Sequence, residues 1–295
     1  MTELWLPSAD PTAEDEKPPL ALWRRLGFGF WVSVGWVLLV IGLALLAPIL
    51  PLEDPNATGV GGRLEGPRPG LWFGADSTGR DVFSLTIWGA RISLVVGFIA
   101  IVVGLLVGGS IGILAGYFRG LFDGVASFAF ATLLSFPALI LAILITTLLG
   151  RTVFWISISL GILAIAPVGR LARAQTLVFA EKEFVMAARI LGADDRRILI
   201  REILPNVVVP MSALALLGMS IAIVAEGTLA FLGISVADGL SWGKQIFEAG
   251  SRATDLQTGP HAALFPIGVV FLTVLSLNFA GDRLREVFDA KELSL

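Results

Sequence analysis

The densest group of charged side chains in the sequence is EFVMAARILGADDRRILIREILPN, from Glu183 to Asn206. It holds Glu183, Arg189, Asp194, Asp195, Arg196, Arg197, Arg201 and Glu202, with long apolar runs on either side. Carboxylates and guanidiniums in this mixture cap helices, form ion pairs and dock partners. A second feature is Glu226, a lone acid in an otherwise apolar run. An ionisable group at membrane depth is costly and marks a pathway, a gate or an ion relay, and Glu226 is the candidate for such a role. The chain has no cysteine and a single histidine, His261. Disulfides, thiolate chemistry and histidine metal sites are therefore excluded. The apolar runs carry no His, Glu and Asp at helical spacing, which argues against an intramembrane enzyme. There is no G-x-x-x-x-G-K-[ST] phosphate loop: SWGKQ, starting at Ser241, lacks both the first glycine and the hydroxyl residue. The chain is expected to hold no cofactor or metal of its own.

The charged island needs defined elements to present it. Lys182 to Leu191 is free of Gly and Pro and favours helix. Gly192 interrupts it as a glycine at a helix end does. Asp194 is placed to cap a second helix, expected to run to about Leu204, with Pro205 as the break before the next apolar run. The island thus reads as a helix–turn–helix, a docking surface for a partner rather than a solvated loop.

The rest of the chain reads as membrane. Of 295 residues, 56% are hydrophobic and 15% charged, against about 25% charged in soluble domains, and the mean hydropathy is +0.85. A spanning helix needs about 20 mostly apolar residues. Six stretches qualify, near 30–50, 92–117, 124–149, 152–174, 207–234 and 263–281, with the island over 181–206. Residues 1–25 are polar and acidic, unlike a cleaved signal peptide; they read as a mobile tail ahead of a membrane domain over 26–295. The segment 53–81, rich in Gly and Pro, reads as an irregular loop. RDVFSLTIWGAR, which follows it, reads as a helix lying on the outer surface before the second span. Gly104, Gly108 and Gly112 in that span have the spacing that lets helix backbones approach closely, and internal packing is the favoured use. With the N-terminus inside, the inner segments hold most of the Lys and Arg, including Arg170, Arg173, Arg196, Arg197 and Arg201. This bias puts both termini and the island in the cytoplasm.

The island resembles the EAA loop of ABC-importer permeases: two alanines, Ala187 and Ala188, a glycine four residues on, and Leu204–Pro205 thirteen residues further. FGADSTGRDVFSLTIWGARISLVVGF, LAGYFRGLFD, LLSFPALILAI, FLGISVADGLSWGKQIFEAG and ALFPIGVVFLTVLSLNFAGDRLREVFD occur in the same order as in one branch. The chain is similar to the C-type permease subunit of dipeptide, oligopeptide and nickel importers, the DppC/OppC group, over roughly Trp31 to Lys291. The resemblance implies an all-α fold with six transmembrane helices and a cytoplasmic coupling loop, the type I importer fold. It also implies a pore shared with a second, homologous permease in the cell membrane. Two cytoplasmic ATPase subunits would bind ATP and Mg, and an extracytoplasmic binding protein would deliver the solute. Nothing in it implies nucleic acid. The coupling residues it marks are Glu183, Ala187, Ala188, Gly192, Asp194, Leu204 and Pro205. Relatives handle peptides, glutathione-like thiols, nickel complexes and some sugars. Three positions depart from the pattern: Met186 stands where the family usually has Glu, so the acidic contact to the ATPase is lost or moves to Glu183; Glu202 stands where His is frequent; and FATLLSFP lacks an Asp that relatives often carry. The competing class is a secondary transporter or channel that works without an ATPase, for which Glu226 would be the relay.

Overall fold

The computed structural model describes the backbone of residues 22–292 and the side chains of 26–288. Most of the expected N-terminal tail, residues 1–21, lies outside the described residues. The chain forms ten helical elements there: α1 (Leu22–Leu46, kinked at Gly27), α2 (Val82–Phe118), α3 (Gly120–Ser135), α4 (Ala138–Leu149), α5 (Val153–Phe179), α6 (Glu183–Ile190), α7 (Asp195–Phe231), α8 (Trp242–Gly250), α9 (Ala253–Thr258) and α10 (His261–Glu292). Five of these are long and apolar enough to cross a membrane, and α3 with α4, counted as one bent crossing, makes six. The only β pairing among the described residues is two isolated bridges, Arg68 with Leu71 and Ala75 with Asp81.

The centre of the bundle is α2 against α5, with α7 along α2, and α10 along α7 and α1. Lipid is as apolar as leucine, so such seams are held by close van der Waals contact. The seam's device is a glycine stripe on α2. A Cβ added at Gly108 would lie 2.2 Å from the carbonyl oxygen of Ile165, and one at Gly112 would lie 2.1 Å from that of Gly169. The neighbours Gly104 and Gly116 meet Ala164 and Arg173 in the same way. These glycines serve internal packing, and any side chain there would force the two helices apart. Gly169 in turn makes room for the ring of Phe130 from α3.

α1 covers Leu22–Leu46 against an expected 30–50, α10 runs on to Glu292 past an expected 281, and four further boundaries differ from the sequence expectation. The third span, expected to run unbroken over 124–149, is bent by 91° between α3 and α4. Pro137 has no N–H, and Phe136 before it is driven to extended backbone (φ −83°, ψ 136°), as the residue before proline tends to be. The second span starts at Val82 rather than near 92: RDVFSLTIWGAR is not a separate surface helix. The Asp81 carboxylate accepts from the N–H groups of Phe83 and Ser84, and from that cap no residue stops the helix before Phe118. The fourth span runs to Phe179, because Arg173 finds an ionic partner in Asp123 of α3 and Arg170 faces out. Finally, Pro205 does not separate the island from the fifth span. Residues Ile198–Ile203 form a wider, π-helical turn. Pro205 follows in the first turn of the α-helical part, where a missing donor is tolerated, so α7 is continuous from Asp195.

Candidate functional site

The charged island folds as α6, a tight turn, and the start of α7. Glu183 occupies the first turn of α6 and Arg189 the last, each favourable to the helix dipole. The helix ends in a Schellman motif: the N–H of Ala193 donates to the carbonyl of Ala188 (3.0 Å) and that of Gly192 to Arg189 (3.0 Å). This motif places a left-handed residue after the helix, and Gly192 has φ +79°. Asp194 then caps α7, its carboxylate accepting from the N–H of Arg197 at 3.1 Å.

One side of α6 is fastened and the other is bare. Val185 is fully buried in an inner core with Tyr117, Phe179, Ile198, Ile203 and Val207, and Ala188 packs on its margin. On the other side Ala187 is exposed, Met186 is half exposed, and Ile190 and Leu191 are each 86% exposed. Leu204 and Pro205 are exposed on α7, past the wide turn. Two further contacts bind the island to the bundle. The Tyr117 hydroxyl donates to Asp195 Oδ1 at 2.6 Å, and the Arg189 guanidinium lies 5.5 Å from the centre of the Tyr117 ring. Sequence reasoning overlooked Tyr117 and Val185. Tyr117 is the only tyrosine in the chain, and that solitary hydroxyl at the C-terminal end of a span was the available signal.

Glu226 lies far from the island, toward the C-terminal end of α7, and is 1% exposed. Its Oε2 is 3.4 Å from Ser93 Oγ on α2, and the same Ser93 oxygen accepts the backbone N–H of Trp242 at 3.1 Å. Around it α8 is inserted between α2 and α7. The Trp242 indole donates to Thr86 O at 2.8 Å, the Gln245 amide donates to Val82 O and Thr86 Oγ1, and a Cβ on Gly243 would come within 2.6 Å of Gly227 Cα. Glu226 is thus part of the joint that seats α8.

The 53–81 loop is ordered by buried charge. Asp76 accepts from the N–H of Thr78 (2.8 Å) and of Arg80 (3.0 Å), and from the Arg80 guanidinium (2.7 Å). Burial pushes the Asp76 carboxyl up, and these donors outweigh it, holding it below the usual carboxylate range. Arg80 also donates to Glu248 on α8 at 2.9 Å, and Arg63 to Asp255 on α9 at 2.8 Å. The ring Nε2 of His261 is 3.1 Å from Ala75 O, so the lone histidine ties this loop to the start of α10.

Residues 108–293 match the family described as binding-protein-dependent transport system inner membrane component. The chain is 35% identical over 288 residues to the dipeptide transport system permease protein DppC of Alkalihalophilus pseudofirmus, covering 95% of this chain and 94% of that one. It is 36% identical over 273 residues to the glutathione transport system permease protein GsiD of Pectobacterium atrosepticum, with 91% and 90% covered. GsiD of an Escherichia coli strain is 36% identical over 258 residues, with 87% and 84% covered.

Proposed function

The chain belongs to the family of binding-protein-dependent transport system inner membrane components, and on that premise we propose that it forms half of an ATP-driven import pore for peptides or peptide-like solutes. The other half is a second, homologous permease. An extracytoplasmic binding protein delivers the solute, and two cytoplasmic ATPase subunits, which carry the ATP and Mg, supply the energy. This chain is the pore subunit and hydrolyses nothing itself. Both termini and α6 face the cytoplasm.

The observation that carries this reading is the two-sided character of α6. A short helix with one side fixed by Val185 and the other showing Met186, Ile190 and Leu191 to solvent has the form of a plug for a cleft in another protein. Glu183, Ala187, Gly192 and Asp194 shape that plug, and Ala188, Leu204 and Pro205 join it to the bundle. Closure of the ATPase pair on ATP displaces α6. The displacement passes through the inner core and the Tyr117–Asp195 bond to α2 and α7, moving the helices as bodies between inward- and outward-open states. The substrate class follows the relatives, whose names specify dipeptide and glutathione transport.

The test is isolation in mild detergent, followed by reconstitution into liposomes with the second permease, ATPases and binding protein. Retention of an ATPase, with uptake that requires ATP, supports the proposal. Uptake by this chain with no ATPase present would overturn it in favour of a secondary transporter or channel.

A further inference from the structure

At the outer end of the bundle a cavity of about 690 Å³ opens between the first turns of α2, the start of α5, the 237–240 loop and α8. That volume is within the roughly 300–1,000 Å³ typical of small-molecule sites. Its charges are unevenly satisfied. Arg80 and Glu248 on its wall are bound to each other. Arg91 is exposed, and its only partner among the described residues is the ring of Trp88, 5.1 Å away. Lys244 is held by two neutral groups, its Nζ donating to Gly239 O at 3.0 Å and Val236 O at 3.3 Å. No carboxylate lies within ion-pair distance of either cation among the described residues.

The placement of Arg91 is the telling part. It stands ten residues inside a helix that runs without a break from Val82 into the membrane, on a face exposed in this chain. An unpaired guanidinium at such a place belongs against water or an anionic ligand, not hydrocarbon. Lys244 is pre-positioned: the two carbonyls orient its ammonium without neutralising it. Asp238, exposed on the rim, is the one lining carboxylate without an ion-pair partner. Two free cations and one free anion around a cavity of this size match a small zwitterion better than a simple anion or a neutral sugar.

We propose that this cavity receives the free carboxylate end of the imported solute, bound by Arg91 and Lys244. The proposal rests on the importer reading and sharpens its substrate class to solutes with an unblocked carboxylate. The guanidinium offers a two-pronged donor for the carboxylate, while Lys244 adds charge from the far side of the loop.

Two experiments on the reconstituted importer test it. The first measures uptake of alanyl-alanine and of its C-terminal amide. In Arg91→Gln or Lys244→Gln the KM for the free dipeptide should rise about tenfold, as for loss of one charge-assisted hydrogen bond, with kcat little changed. The KM for the amide should not move, and Arg91→Lys should recover most of the loss. An equal change for both peptides, or none, overturns the proposal. The second needs no substrate and uses the absence of cysteine. Val95 lines the cavity, and Val95→Cys should react faster with an anionic methanethiosulfonate than with a cationic one. That preference should shrink when Arg91→Gln is added. No preference in Val95→Cys overturns the proposal. If the preference is found but neither peptide is imported, the peptide reading fails while the cavity's selection of anions stands.

Discussion

The hydroxyl of Tyr117 reaches the carboxylate of Asp195 across 2.6 Å, joining the C-terminal end of α2 to the first turn of α7 at residues 78 apart in sequence. This bond, and the Arg189 guanidinium over the same ring, add polar attachments of the island to the apolar one made by Val185. In Tyr117→Phe the ring stays and only the oxygen is lost, at a cost of about 1.5–3 kcal/mol for a hydrogen bond to a charged group. The complex should assemble at normal abundance, and more ATP should be hydrolysed per solute imported. Simultaneous assays of hydrolysis and uptake in liposomes measure that ratio, and an unchanged ratio would remove Tyr117 from the coupling route.

Gly192 is tested by strain alone, because nothing lies within 4 Å of a Cβ built there. Forcing a large side chain to φ +79° costs about 1–3 kcal/mol. Gly192→Arg should insert normally and lose uptake, through either release of the ATPases or uncoupled hydrolysis. Gly192→Asn, the next best residue for this conformation, should retain much of the uptake. Full coupled transport in the Arg variant would make the island a passive loop.

Glu226→Leu removes the carboxyl beside Ser93 while nearly preserving volume. Ser93 still accepts from Trp242, so the bundle should assemble, and uptake should slow as α8 loosens in its seat. Glu226→Gln, which can still hydrogen-bond Ser93, should be closer to wild type. The readouts are initial uptake rate and the protein level in the membrane; wild-type uptake in the Leu variant would strike Glu226 from the functional residues.

The proposed orientation has a direct chemical check, since no native cysteine interferes. Asn56→Cys and Gln257→Cys should react with a membrane-impermeant maleimide on intact cells. Ile190→Cys, on an exposed part of α6, should react only after the membrane is opened. The reverse pattern would invert the topology and place α6 beyond reach of any cytoplasmic ATPase.

The 53–81 loop should be acid-sensitive. A carboxylate held below its usual range contributes stability that is complete above that range and is lost as the pH falls through its folded value. For Asp76 this loss begins below about pH 4. Protease cleavage between 53 and 81 in proteoliposomes should therefore rise in acid, and Asp76→Asn should show much of that cleavage already at neutral pH. Equal cleavage of both proteins at neutral pH would show that the Asp76 charge does not hold the loop.

The crossings and the island were legible because their signals are local: runs without Lys or Arg, a glycine at a helix end, an Asp at a cap. Two prolines show where that reading stops. Pro137 breaks its helix at a right angle, whereas Pro205 is absorbed after a wide turn. The residue type is the same, and what differs is the hydrogen-bond pattern of the preceding turn. The partners of the functional groups were hidden for a related reason. Glu226 could be singled out as a lone acid, yet Ser93 lies 133 positions away. The core that clamps Val185 likewise gathers residues from Ile101 to Met211, and no local window along the chain contains them all.

The continuity of α7 has a mechanical corollary. At 37 residues it is about 55 Å long, nearly twice the roughly 30 Å hydrocarbon thickness of a bilayer. One end is gripped by the island and the other by the seat of α8. Such a rod, pivoting at mid-length by about 5°, swings its tips roughly 2 Å in opposite directions. On the importer proposal, a push on the island therefore arrives at the far end already inverted: one mouth narrows as the other widens. On that proposal the two gates need no signal passed between them, because they are the two arms of one lever.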